Sequence, residues 1–205
     1  METIQLTDVM FSASDLIKKS AKQILFLRNR KERVTTGMIR GTEYQAKVVE
    51  KLNAFAEEMR GTFSKDNIII FYTNDMIKDD IIYEVKMVDE ERDTPDWYRE
   101  SSILQAVFYK SLLMSGNGIL TTPSFRIKEG YDSKTIKVPI DSSYRLLFGE
   151  EEYKIEVLDK DKIINYFIRK ANATFDWSDA ELYDYDHKFK HFTHLKKYFN
   201  FERIN

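Results

Sequence analysis

The spacing of apolar residues along this chain predicts its helices. Steps of three and four residues in LIKKSAKQILFL, residues 16–27, indicate an N-terminal helix with Ser12 or Ser14 as its N-cap. The same spacing in GTEYQAKVVEKLNAFAEEM, which starts at Gly41, indicates a second helix that ends near Gly61. The pattern predicts two more helices, over residues 97–116 and 161–173.

Runs rich in β-branched and aromatic residues predict the strands. DNIIIFY and DIIYEVKMV, residues 66–72 and 80–88, are joined by the polar segment TNDMIKD, so they indicate an antiparallel hairpin. Four later runs also indicate strands: ILTTPSFRI, KTIKVPI, YRLLFG and EYKIEVL. Because helices alternate with groups of strands, the order predicts an α/β fold in which helices flank a mixed sheet.

The division of the chain follows from its length and from the composition of its end. A chain of 205 residues suffices for one sizeable hydrophobic core, and we assign residues 1–173 to a single domain. Residues 174–205 are aromatic and charged, and we predict a helical extension packed on that domain. So many aromatic side chains argue against disorder in this extension.

Composition limits the chemistry that the protein can perform. The chain has no cysteine, which excludes a disulfide framework, a thiolate zinc site and a cysteine-bound iron–sulfur cluster. Any metal must therefore be held by oxygen or imidazole. No apolar run approaches the length of a membrane span and the N-terminus does not resemble a signal peptide, so we predict a cytoplasmic protein without a membrane partner.

A basic segment near the N-terminus is a candidate for binding phosphates. The formal net charge of the chain is −2, which gives no overall attraction to nucleic acid. Within residues 15–40, however, eight basic residues stand against Asp15 and Glu32. The eight are Lys18, Lys19, Lys22, Arg28, Arg30, Lys31, Arg33 and Arg40. They could follow a phosphate backbone, or they could form the solvated side of an amphipathic helix.

Two charged residues interrupt the second strand of the predicted hairpin. Glu84 and Lys86 lie two residues apart, so their side chains share one face of the strand, about 7 Å apart. The carboxylate can bind a hard divalent cation, and the ammonium can stabilise charge on a phosphate beside it. The same acid-x-Lys spacing recurs at residues 132–134, 152–154 and 186–188. A salt-bridged pair on a solvated edge strand is therefore the alternative interpretation.

A cation at Glu84 would need a second carboxylate from the neighbouring strand. The register that we predict pairs residue 70 with residue 80, which places Asp66 across from Glu84. A tighter hairpin would place Phe71 opposite Glu84 instead. The other acids of this segment are assigned to the turn: Asp75, Asp79 and Asp80.

Several short motifs follow one another along residues 11–115. They are Ser12-Ala13-Ser14 before the first helix, Gly41 with Gln45 four residues later, Asp66, Glu84-Val85-Lys86, and a helical Gln105-x-x-x-Tyr109. In this order they resemble the motifs of the PD-(D/E)XK nuclease superfamily. The likeness is greatest to its RecB-like branch, which includes the nuclease of CRISPR spacer acquisition. That branch carries a His or Glu at the position of Gln45, so the neutral amide is a departure from the pattern.

The resemblance implies a restriction-endonuclease-like core and a DNA nuclease, with exonuclease as the expected mode. It implies one or two Mg²⁺ or Mn²⁺ ions, and no iron–sulfur cluster, because branch members with a cluster use four cysteines. The implied metal ligands are Gln45, Asp66, Glu84 and the carbonyl of Val85. The implied catalytic residues are Asp66, Glu84, Lys86, Gln105 and Tyr109.

The expected partners of such a nuclease are single-stranded DNA or duplex ends, together with other recombination or repair proteins. We predict DNA contacts from nine residues: Ser14, Lys18, Lys22, Arg28, Arg30, Lys31, Arg40, Gln105 and Tyr109. The Gln-x-x-x-Tyr spacing puts an amide and a phenol on one helix face, where they can orient a phosphate or a stacked base.

Two other functions are compatible with the sequence. A relative of the same fold could bind nucleic acid or a protein partner without cutting, since Gln45 brings no charge to the metal position. His187, His191 and His194 could also form a transition-metal site, because their spacing places them on one helix face. Three imidazoles from one short helix rarely converge on one ion, so we interpret them as surface histidines.

Overall fold

The structure is a computed structural model that describes residues 9–27, 35–52, 55–88, 94–116, 118–121, 125–127, 130–132, 135–175 and 187–205. Within these ranges the helices are α1 (Ala13–Lys18), α2 (Ala21–Leu27), α3 (Thr36–Leu52), α4 (Asp96–Ser115), α5 (Lys160–Ala173) and α6 (His187–Leu195). A 3₁₀ turn, Lys196–Tyr198, follows α6. The strands are β1 (Val9–Ser12), β2 (Phe55–Lys65), β3 (Ile68–Lys78), β4 (Ile81–Lys86), β5 (Ile119–Thr121), β6 (Phe125–Ile127), β7 (Gly130–Asp132), β8 (Thr135–Lys137), β9 (Tyr144–Phe148), β10 (Glu151–Val157) and β11 (Phe199–Arg203).

Nine of these strands form one mixed sheet in the order β11-β10-β9-β4-β3-β2-β5-β8, with β1 beside β3. The pairs β1–β3 and β4–β9 are parallel, while the other pairs are antiparallel. Strands β6 and β7 form a separate two-stranded sheet. The predicted α/β fold, with helices flanking a mixed sheet, is confirmed.

The two faces of the main sheet are covered by different helices. On one face α4 packs against α1, α5, α6 and the central strands, and the rings of Phe108 and Phe167 lie 4.1 Å apart between α4 and α5. On the opposite face α3 covers a smaller cluster built around Met76, Tyr83 and Val85. Helix α4 lies where its apolar spacing predicted, and it is buried on more than one side over residues 102–109.

The second helix differs from its prediction. It begins at Thr36 and ends at Leu52, whereas residues 55–65 form strand β2 rather than the end of a helix. Pairing with β3 outweighs the helical spacing of this segment. Gly61 fits this strand because it lies opposite Tyr72, and a Cβ at Gly61 would stand 2.2 Å from the Tyr72 ring.

The first predicted helix is two helices. Helix α1 ends at Lys18, and Ser20 is the N-cap of α2. The cap is reciprocal: Gln23 N donates to Ser20 Oγ at 3.1 Å, and Ser20 N donates to Gln23 Oε1 at 2.9 Å. Ser12 is the N-cap of α1, and its hydroxyl is 2.8 Å from that of Ser14. The break separates a short helix next to the sheet from a second one that carries Lys22.

The C-terminal extension is only partly helical. After α6 and the 3₁₀ turn, β11 pairs with β10 and becomes the outer strand of the main sheet. The prediction of a helical tail is therefore wrong for residues 199–203, whose aromatic side chains Phe199 and Phe201 pack with Phe192. None of the helices in the described ranges is long and apolar enough to cross a membrane.

Candidate active site

The β3–β4 hairpin has a register that neither sequence prediction anticipated. Met76 pairs with Tyr83, Ile77 with Ile82 and Lys78 with Ile81. Continuing this register by one step puts Asp75 opposite Glu84. The polar residues between the two apolar runs are therefore strand, and the turn is confined to Asp79 and Asp80. These two residues have φ of 49° and 60°, as a two-residue hairpin turn of the primed type requires.

Asp66, the predicted partner of Glu84, lies elsewhere. It is exposed in the turn between β2 and β3, with a φ of 55°. From there to Asp75 the chain runs along most of β3, which separates the two carboxylates by more than about 20 Å of extended strand. The prediction that Asp66 faces Glu84 is wrong, because the strand continues through TNDMIK and the hairpin closes later than expected.

Asp75 and Glu84 are held by different partners. The Oδ2 atom of Asp75 accepts a hydrogen bond from the backbone N–H of Val85 at 2.7 Å. Glu84 is 1% exposed, and its Oε1 accepts from Gln105 Nε2 at 2.6 Å and from the ammonium of Lys86. Among the residues that the structure describes, Glu84 Oε2 has no hydrogen-bond partner. A buried carboxylate oxygen without a partner is costly unless a ligand binds it.

The charges of this group perturb one another. Burial and the neighbouring charge of Asp75 raise the pKa of Glu84 to about 7, against the opposing effect of Lys86. Burial disfavours the charged form of Lys86, yet the carboxylates of Glu84 and Asp75 raise its pKa. Lys86 therefore stays cationic at neutral pH, while Glu84 sits close to its own titration point. Perturbed groups of this kind cluster at functional sites.

A break in the sheet makes room for a pocket beside these residues. One edge of β3 pairs with β2, and the other pairs with β1 at Ile68–Phe71 and with β4 at Met76–Lys78. In the described part of the chain, the ladders on that second edge therefore leave a gap between Phe71 and Met76. The pocket in this gap has a volume of about 310 Å³ and is lined by Ser12, Ser14, Lys18, Arg60, Phe71, Tyr72, Thr73, Asp75, Glu84, Lys86, Gln105 and Tyr109.

Strand β3 is irregular where it passes this pocket. Ile70 and Tyr72 pack in the main core, whereas Met76 packs under α3 on the opposite face. Strict alternation would put all three on one face, so it is broken between Tyr72 and Met76. The β2–β3 register also shifts at this level, between Ala56 and Met59. Irregularities of this type change the direction in which nearby side chains point, and here the side chain at that level of the strand is Asp75.

Helix α4 supplies the predicted amide and phenol. Gln105 Nε2 donates to Tyr109 Oη at 2.9 Å as well as to Glu84, so the Gln-x-x-x-Tyr pair does meet on one face. Burial and the charge of Glu84 raise the pKa of Tyr109, which keeps the phenol protonated. In the described ranges the Oε1 atom of Gln105 has no hydrogen-bond partner.

The remaining predicted residues divide between the pocket and other places. Ser14 and Lys18 of α1 line the pocket. Gln45 is half-buried on α3, where its Nε2 lies 3.4 Å from the carbonyl oxygen of Asp75, so it contacts the backbone of the acid rather than the pocket. The Val85 carbonyl lies 3.4 Å from Lys86 Nζ. Lys22 is half-buried on α2, Arg40 is exposed on α3, and Arg28, Arg30 and Lys31 lie outside the described residues.

Sequence reasoning missed Asp75, Arg60 and Thr73 in the pocket. The signal for Asp75 was the pair Asp79-Asp80, because aspartate tolerates positive φ and two such residues suit a tight hairpin turn. That turn alone fixes the register that brings Asp75 to Glu84. Arg60 and Thr73 have no such signal, since they are cross-strand neighbours only in the β2–β3 ladder.

The C-terminal histidines do not form a surface group. His191 is 3% exposed, whereas His194 is exposed and its ring lies 5.3 Å from that of Tyr166. The side chain of His187 lies outside the described residues. Their interpretation as surface histidines is wrong for His191, because α6 packs this residue against α5.

The pocket can hold an oxygen-preferring cation through two carboxylates. No group of three or more His, Asp or Glu side chains suited to a metal is found in the described ranges, so the acids of the pocket are a pair. The unpartnered Oε2 of Glu84 and the carboxylate of Asp75 are the donor types that Mg²⁺ and Mn²⁺ prefer, and Mg²⁺ usually keeps several waters besides one or two carboxylates. The donor set therefore fits such an ion.

No protein-family model matches the chain, and no curated protein matches it. Among solved structures, the crystal structure of SSO0001 is similar, with a TM-score of 0.43 and 17% sequence identity over 81% of this chain and 75% of that one. A similarity of this extent carries no argument about activity.

Proposed function

We propose that the pocket is the active site of a Mg²⁺- or Mn²⁺-dependent deoxyribonuclease. The observation that carries this proposal is the meeting of Asp75 and Glu84 from neighbouring strands beside Lys86, with one buried oxygen of Glu84 unpartnered among the described residues. We further propose membership of the RecB-like branch of the PD-(D/E)XK superfamily. In this assignment Asp75 takes the place of the family's aspartate, ahead of Glu84-Val85-Lys86.

Each residue near the acids has a chemical role in this proposal. Asp75 and Glu84 would hold the cation, with the Val85 carbonyl as a further oxygen donor. The cation would supply Lewis-acid activation of the phosphodiester and of the attacking water. Lys86 would orient that water and stabilise negative charge on the phosphate, since its ammonium lies next to Glu84 and stays protonated. Gln105 holds the Glu84 carboxylate in place.

The walls of the pocket supply groups that suit a polynucleotide. Lys18 and Arg60 provide positive charge, and Ser12 and Ser14 provide hydroxyl donors for phosphate oxygens. Phe71 is 38% exposed at the pocket, where a base can stack on its ring. We propose DNA ends or single strands as the substrate, and recombination or repair proteins as partners of the enzyme.

A non-catalytic relative that binds nucleic acid is the second candidate. Two observations favour it: the acids of the pocket are a pair, and Gln45 contacts the Asp75 backbone as an amide rather than adding a third carboxylate. In that case the ammonium of Lys86 would balance the charge of Glu84 in place of a cation. The residues that line the pocket would then bind phosphates without hydrolysis.

One assay separates the two candidates. Purified protein is incubated with end-labelled single-stranded or duplex DNA, with Mn²⁺, Mg²⁺ or EDTA, and compared with Glu84→Gln. Glu152→Gln is the matched control, because Glu152 is also an ion-paired glutamate of the sheet, with Oε1 2.5 Å from Arg145 Nη1. The nuclease predicts metal-dependent cleavage that only Glu84→Gln abolishes. Tight binding of DNA without cleavage by any of the three proteins supports the binding relative.

A further inference from the structure

A buried lysine outside the pocket is held by groups from two other segments of the chain. Lys170 of α5 is 0% exposed, and its Nζ donates to the carbonyl oxygens of Leu16 at 2.5 Å and Lys19 at 2.7 Å. The same Nζ lies 3.1 Å from Nε2 of His191. No carboxylate pairs with Lys170 within the described ranges. Burying a lysine without a counter-ion is costly, so this arrangement calls for an explanation.

The two carbonyls belong to the end of α1, and this identifies what Lys170 stabilises. A helix leaves its last carbonyls without partners inside the helix. Helix α1 has only six residues, Ala13–Lys18, which is too short to be stable by itself. The side-chain N–H groups of Lys170 therefore cap α1 and fix the break before α2.

His191 connects this cap to the C-terminal extension. Its Nδ1 forms a hydrogen bond with the hydroxyl of Tyr166 on α5, and its Nε2 faces Lys170. Both ring nitrogens are thus engaged, which orients the imidazole and holds α6 against α5. The chain Tyr166–His191–Lys170 links α6 to the end of α1.

We infer that Lys170 is a positioning residue for the pocket, because it fixes α1, the wall that carries Ser14 and Lys18. Through His191, the order of α1 then depends on α6. The consequence for phosphate binding rests on the proposed function, whereas the ordering of α1 does not. Loss of the cap frees α1 to fray, which moves Lys18 away from the pocket but leaves Asp75, Glu84 and Lys86 on their strands.

The test compares Lys170→Met with Lys110→Met in the full-length protein. Lys110 is a matched control, because it is a half-buried lysine whose Nζ donates to the Ile155 carbonyl of β10, at 2.9 Å, rather than to a carbonyl of α1. Hydrogen–deuterium exchange is measured for the amides of α1 and α4. Lys170→Met should speed exchange in α1 by about tenfold or more, the effect of losing roughly 1.4 kcal/mol, while α4 changes less than about twofold. Lys110→Met should leave α1 unchanged.

Cleavage kinetics give a second readout. Lys170→Met should raise the KM for DNA about tenfold with kcat within about twofold, because the acids and Lys86 stay in place. If Lys170→Met does not fold, His191→Leu keeps the carbonyl bonds of Lys170 and should speed α1 exchange about threefold. Unchanged α1 exchange in the variant that folds, or an equal increase in Lys110→Met, overturns the inference. If no protein cleaves DNA, the nuclease proposal fails while the exchange result still decides the role of Lys170.

Discussion

Replacing Asp75 by Asn separates function from stability in this pocket. Asn keeps an oxygen that can accept from Val85 N, where the present bond is 2.7 Å, so the change from a charged to a neutral acceptor costs about 1 kcal/mol. The lost charge also removes attraction to Lys86, whose pKa Asp75 helps to raise, but it relieves repulsion on Glu84. These terms oppose each other, and the free energy of unfolding should change by less than about 1 kcal/mol.

The expected loss of activity is far larger. A carboxylate that binds the catalytic cation contributes several kcal/mol to charge stabilisation, and each 1.4 kcal/mol is about tenfold in rate. Asp75→Asn should therefore reduce cleavage by roughly 10²- to 10⁴-fold while the thermal midpoint shifts by no more than about 4 °C.

Asp66→Asn is the matched control for this prediction. Asp66 is exposed in a turn with a φ of 55°, and Asn tolerates that conformation as readily as Asp. Single-turnover cleavage of labelled DNA and thermal unfolding should both stay at wild-type values. Loss of cleavage in Asp66→Asn together with full activity in Asp75→Asn would refute the assignment of Asp75 as the second acid.

Three further predictions follow from individual contacts. Lys86→Met should lower the cleavage rate by about 10²- to 10⁴-fold yet retain Mn²⁺ binding by calorimetry, and unchanged cleavage would contradict its role. Gly61→Ala should destabilise the protein by about 1–3 kcal/mol in urea unfolding, because its Cβ would stand 2.2 Å from the Tyr72 ring, and Tyr72→Leu should restore part of the loss. Burial lowers the pKa of Lys170 to about 7 from 10.5, so the unfolded chain binds more protons between these values. The groups that face Lys170 are two carbonyls and His191. The free energy of unfolding should therefore rise with pH across that window, and it should rise less in Lys170→Met.

The parts of the fold that sequence patterns predicted are those with strong local signals. Helix α4 has a long apolar pattern after Pro95, and α5 has the spacing of an amphipathic helix, so both lie where predicted. Residues 55–61 were assigned to a helix because Phe55 continues the helical spacing of Val48 and Leu52. Their strand conformation depends on pairing with β3, which is information that a local pattern does not contain.

The candidate site could be predicted only where its residues belong to local motifs. Glu84, Lys86, Gln105 and Tyr109 belong to short motifs, and the structure brings them together. The second acid depends on the hairpin register, and the residue that faces Glu84 changes from Asp66 to Asp75 when the turn moves to Asp79-Asp80. His191 was assigned to the surface because its burial depends on packing against Tyr166 of α5, a tertiary contact that the spacing within α6 does not contain.

The order in which the chain is synthesised has a consequence for the network that joins α1 to α6. Chains emerge N-terminus first, at about 5–20 residues per second, so α1 leaves the ribosome long before Lys170 and His191 exist. The β3–β4 hairpin can bring its acids together early, but the α1 wall stays loose until α6 has been translated. We expect ribosome-stalled chains that end before α6 to bind single-stranded DNA more weakly than released protein, and equal affinity would contradict this. On the proposed function, a chain that still lacks α6 would therefore bind nucleic acid only weakly near its own site of synthesis.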